Sequence, residues 1–131
     1  MGRATWIALA LVSLGCMTTA KPEGFEAAAN EARQNRRDPG AYMYLANLQR
    51  KLQRPLEVAS RVCRVRTADS RNVRILYRLD ASGAVAETLL YPSTDYGQCV
   101  LEEIGTVEFA APPESDYWVR VAVPPFSTPY R

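Results

Sequence analysis

The stretch Val73-Arg74-Ile75-Leu76-Tyr77-Arg78-Leu79-Asp80 decides the fold. Val73, Ile75, Tyr77 and Leu79 alternate with Arg74, Leu76, Arg78 and Asp80, the period of two that turns one face of a strand toward a core and the other toward water. Ala81-Ser82-Gly83 follows as a short connection. Residues 84–91 are then rich in Val, Thr, Leu and Tyr, so the pair predicts a β-hairpin that Pro92 ends. Asp95-Tyr96-Gly97-Gln98 has the Asx-x-x-Gln spacing of a capping box, with Tyr96, Cys99, Val100 and Ile104 on one helical face and Gly105 as the stop. After the Pro-rich residues 110–114, Tyr117, Val119, Val121 and Val123 alternate with Trp118, Arg120 and Ala122, a third strand closed off by Pro124-Pro125. The predicted fold class is α+β: N-terminal helical segments, then β-β-α-β with a three-stranded antiparallel sheet over residues 67–126.

Upstream of that unit, Asp38-Pro39 is a helix start, an Asx cap followed by Pro at the first position. Ala41, Leu45, Leu48 and Leu52 line one face until Arg54-Pro55 breaks the run, and Leu56, Ala59, Val62 and Cys63 line a second. Residues 38–66 are therefore expected to form a helical hairpin packed on the sheet. Asp38-Pro39, Tyr42, Leu45-Ala46 and Arg54-Pro55-Leu56-Glu57 are also similar to part of a tetratricopeptide repeat, but one copy cannot bury its own face. In residues 17–37 a polar tether leads into an Ala-rich, charged segment whose only sizeable apolar residue is Phe25, which predicts a weakly docked helix. Residues 1–15 have one basic residue, Arg3, then a short apolar core from Trp6 to Val12. Small residues follow at the exit, a pattern that describes an export signal rather than a span of about 20 residues. Gly15-Cys16 resembles a bacterial lipobox, which implies lipidation of Cys16 and the periplasmic side of the outer membrane. Cleavage after Thr18-Thr19-Ala20, giving a soluble periplasmic protein, is the alternative.

The order of elements and their residues resemble the TonB C-terminal fold, most closely its gliding-motility (AgmX/PglI-type) variant. The residues that carry the likeness are Val73–Leu79, Ser82-Gly83-Ala84-Val85, Tyr91-Pro92-Ser93, Cys99, Phe109-Ala110-Ala111-Pro112-Pro113 and the closing Pro125-Phe126, with Cys63 matching a Cys on the preceding helix. It covers about residues 56–126. The resemblance implies a non-catalytic module that binds or assembles with an envelope protein or a peptidoglycan-associated partner. TonB-like domains add a partner's strand to a sheet edge, so Tyr117, Trp118, Val119, Arg120 and Val121 are partner-binding candidates, with Trp118 outward as an anchor. The alternative is a structural envelope lipoprotein or inhibitor without a transduction role. The chain lacks the long Pro-rich spacer of a TonB-type transducer.

With Cys16 taken by lipid or removed, Cys63 and Cys99 remain as an even pair in an exported chain, which predicts a disulfide; two buried free thiols are the alternative. The 16 basic and 14 acidic residues leave a net charge of +2, too small for a general nucleic-acid or membrane-surface argument. Histidine is absent from the sequence, which removes the commonest general base, and the Cys spacing holds no CxxC. No enzyme activity, cofactor or metal is expected. Charge is nonetheless segregated, with Arg and Lys concentrated over residues 50–78 and only acidic residues over 79–119. One reading is a basic face at Arg61, Arg64 and Arg74 for an anionic envelope partner; the other is opposite charges pairing between adjacent elements. No base-stacking aromatics interleave the arginines, so nucleic acid is not an expected partner.

Overall fold

The computed structural model of the chain describes residues 20–124. The three expected strands form at Val73–Leu79 (β1), Val85–Tyr91 (β2) and Tyr117–Val123 (β3), and they pair antiparallel in the order β2-β1-β3. The register sets Ile75 opposite both Leu90 and Val121, so the apolar phases of all three strands meet on one face. The fold class is the α+β arrangement read from the sequence. Three helices complete it: Phe25–Arg37 (α1), Tyr42–Arg66 (α2) and Asp95–Ile104 (α3).

The main core lies between the sheet and the pair α2 and α3. Leu48, Leu52, Leu56, Ala59 and Cys63 of α2, with Tyr96 and Val100 of α3, cover Val73, Ile75, Tyr77 and Leu79 of β1 and the inward residues of β3. Within it the buried Ser60 is satisfied by a 2.6 Å hydrogen bond between its Oγ and the Tyr96 hydroxyl. The Cys63–Cys99 disulfide ties α2 to α3 across a Cα separation of 5.7 Å.

Three local expectations need correction. Residues 38–66 are not a hairpin: Asp38 caps a single 3-10 turn, Pro39–Ala41, and α2 then runs unbroken for 25 residues with Pro55 inside it. By propensity Pro55 would end a helix. The stripe Leu48, Leu52, Leu56, Ala59, Cys63 stays in phase through it, however, and burying that continuous face outweighs one lost N–H. The tetratricopeptide likeness falls with the hairpin. The cap of α3 is Thr94, not Asp95: Thr94 Oγ1 accepts from the Gly97 N–H at 3.1 Å, Asp95 sits in the first turn where its charge suits the helix dipole, and the Gln98 side chain donates to Ser93 Oγ. Gly105, with φ of 65°, does stop the helix.

The third correction concerns α1. Far from weakly docked, it covers the second face of the sheet, burying Phe25, Ala28, Ala29 and Ala32 against Leu76 and Trp118. Small side chains let the helix backbone approach the sheet closely, so an alanine stripe suffices where the sequence shows one large apolar residue. The result is three layers, helix, sheet and helix pair. Residues 1–15, Cys16 and the closing Pro125-Phe126 lie outside the described residues.

Candidate binding surfaces

The side chains expected to meet a partner on β3 are mostly committed inward. Tyr117, Val119 and Val121 belong to the main core, and Trp118, only 9 % exposed, lies beneath α1 rather than pointing outward. Trp118 is turned away from the main core by the strand's alternation, as expected, but that direction meets a helix instead of water. Of the five candidates Arg120 alone is exposed. The helix also reaches the main chain of β3, where Asn35 Nδ2 donates to the Trp118 carbonyl at 3.0 Å.

The other edge is barer. β2 pairs with β1 on one side, and among the described residues no backbone hydrogen bond reaches its other side. Ala86, Glu87 and Thr88 in its middle are all exposed, and neither Pro nor Lys interrupts it.

The three basic residues expected to share a face lie on two different sides of the sheet. Arg61 and Arg64 are exposed on the outer side of α2, where Arg61 joins Arg50 and Arg54 along an open groove beside Gln53, Glu57 and Val58. Arg74 is on the far face of the sheet, its guanidinium 5.1 Å from the ring centre of Phe25 and 5.8 Å from that of Tyr91. The single face expected of Arg61, Arg64 and Arg74 therefore does not exist, because β1 turns Arg74 to the side opposite α2.

What Arg74 joins instead is a small cleft between α1 and the sheet, lined by Arg33, Arg36, Arg74 and Arg120 over Phe25, Ala29 and Leu76. The helix places two of these arginines, four residues beyond the buried Ala29 and Ala32, so that they continue the docked face past its apolar end. The sheet places the others, since Leu76 pairs with Arg120 in register and Arg74 shares their face. Partial desolvation against the sheet, and then the charges of Arg74, Arg36 and Arg33, push the exposed Arg120 guanidinium below its ordinary pKa. Pairing between elements accounts for Arg66 with Glu103 at 2.8 Å and for Arg78 with Glu87 and Asp116 at 3.2 and 3.0 Å. Among the described residues none of the four cleft arginines has such a partner. The carboxylate that feels Arg74 and Arg33, that of Glu26, is hydrogen-bonded to Lys21.

Sequence reasoning missed this cluster because Arg33, Arg36 and Arg120 are far from Arg74 along the chain. The available signal was the shared phase of Arg74 with Leu76 and of Arg120 with Trp118, two strands whose polar faces each carry one large apolar residue. Among the described residues no three His, Cys, Asp or Glu side chains converge as metal ligands, and no helix is long and apolar enough to cross a membrane. No family model, curated protein or solved structure matches the chain.

Proposed function

We propose that the chain is a non-catalytic module of a bacterial cell envelope that binds a protein partner by strand addition, with kinship to the TonB C-terminal fold as part of the proposal. Export by the N-terminal signal, with a lipid on Cys16 or release after cleavage, delivers it to a compartment where the Cys63–Cys99 bond persists. The observation that carries the reading is the unpaired outer side of β2, a row of main-chain donors and acceptors on an exposed strand. β3, the edge favoured from sequence, is the weaker candidate because α1 holds its Trp118 side chain and carbonyl. A partner on β2 would be read through its backbone and through Ala86, Glu87 and Thr88.

The test is a photo-activated crosslinker placed at Ala86 or Thr88 in cells, with Arg61 on α2 as the comparison site and adducts identified by mass. One defined protein crosslinked from both β2 positions and not from Arg61 supports the proposal. Adducts from Arg61 alone, or from none of the three, sink it.

A further inference from the structure

We propose that the cleft between α1 and the sheet is a binding site for a phosphate-type oxyanion, held by Arg33, Arg36, Arg74 and Arg120. It goes beyond the strand-addition reading and depends on a different surface. Four guanidinium groups drawn from three elements line one small cleft, and among the described residues none forms an ion pair. Like charges brought together on the rim of one apolar-floored cleft repel one another. An arrangement of that kind is relieved by a counterion, and its donors select the ion. Guanidinium forks match the paired oxygens of phosphate, and several forks can share a tetrahedral group bearing more than one negative charge.

Two features favour a built site over a loose basic patch. Arg74 is flanked by the rings of Phe25 and Tyr91, which restrict its side chain before any ligand arrives. The floor is Ala29 and Leu76, both buried, so the cleft is closed from beneath and the arginines define its rim. A planar carboxylate could engage one fork; the convergence of four is better matched by the phosphoryl group. Its source would be a soluble phosphate ester or free phosphate, or else a lipid headgroup.

The test titrates the full chain, labelled with nitrogen-15, with inorganic phosphate at constant ionic strength set by chloride. The expected result is saturable shifts at Arg74, Leu76, Arg120 and the last turn of α1. Arg120→Gln combined with Arg36→Gln should weaken binding at least tenfold, while in chloride alone the variant melts no lower than the parent because like-charge crowding has been removed. Arg54→Gln, in the α2 groove, should leave phosphate affinity unchanged. Vesicles with and without phosphatidic acid, whose phosphomonoester headgroup can carry a second negative charge, separate the sources: a gain in vesicle binding that needs Arg120 and is competed by phosphate assigns a headgroup, and phosphate binding without that gain assigns a soluble ligand. Shifts no larger than chloride produces, tighter binding of glutarate than of phosphate, or equal weakening by Arg54→Gln would each overturn the proposal.

Discussion

Gly83→Ala is the substitution whose effect the structure defines most sharply. Gly83 closes the turn between β1 and β2 with φ of 90°, and Asp80 holds that turn by accepting from the Ser82 and Ala84 N–H groups at 2.9 and 3.1 Å. A Cβ at position 83 would stand 2.2 Å from the Phe109 carbonyl oxygen, 2.7 Å from that of Ala110 and 2.9 Å from the Ala110 carbonyl carbon. All three atoms are backbone, so no side chain can swing aside and the segment itself must move. That segment seats Phe109, 7 % exposed and 5.7 Å ring to ring from Tyr77, and its Ala110 carbonyl accepts the Tyr44 hydroxyl at 2.9 Å. Left-handed backbone on a residue with a Cβ costs roughly 1–2 kcal/mol. Full burial of a side chain such as Phe109 is worth about 1.5–3 kcal/mol, so its partial loss adds about 1.5 kcal/mol, and the Tyr44 hydrogen bond about 1 kcal/mol. The expected loss is about 4 kcal/mol, a large share of the stability of a domain this size. Urea denaturation followed by circular dichroism measures it, with Gly105→Ala alongside: φ there is 65° but nothing lies within 4 Å, so only the strain should appear. If Gly83→Ala costs no more than Gly105→Ala, the close approach of residues 109–110 to the hairpin is refuted.

Replacing both Cys63 and Cys99 by Ala opens a loop spanning 36 residues and should cost about 4 kcal/mol by loop-closure entropy. Tm should fall by roughly 15–30 °C, and reductant should lower the parent's Tm but not the variant's. Pro55→Ala, at an exposed position inside α2, restores an N–H to the helix ladder and should raise stability by about 1–3 kcal/mol in the same urea assay. The Tyr44 phenol is pushed up to about 12 by burial first and by Tyr117 second, from an ordinary value of 10. The folded chain thus keeps a proton that the unfolded chain releases, so stability should fall as pH rises from 10 to 12, and Tyr44→Phe should flatten that fall. The intact mass of the membrane-extracted chain should carry a diacylglycerol and an acyl chain on Cys16; a mass beginning after Ala20 would favour the soluble alternative.

The sheet was legible because its signal is local. The alternation in 73–79 and 117–123, the Gly-containing turn and Pro92 mark each strand without reference to any other, and the strand bounds follow. The helices were harder, for two different reasons. Pro55 is a strong local stop that a long in-phase stripe overrides, and only the tertiary partner of that stripe shows which prevails. Ala28, Ala29 and Ala32 carry little hydrophobicity, so α1 looks undocked until Leu76 and Trp118 are seen together on the face it covers. The cleft was the least visible feature, since a charge count along the chain groups Arg74 with Arg61 and Arg64 although a strand and a helix turn them to opposite sides.

The docking of α1 also sets the length of the leash. With α1 starting at Phe25 rather than at Asp38, an acylated Cys16 would leave no more than residues 17–24 between the lipid and the helix. Fully drawn out, they reach roughly 30 Å. If the chain is lipidated as proposed, the molecule would ride close against the lipid headgroups instead of roaming the space beyond them, and a partner would have to come to the membrane to meet it.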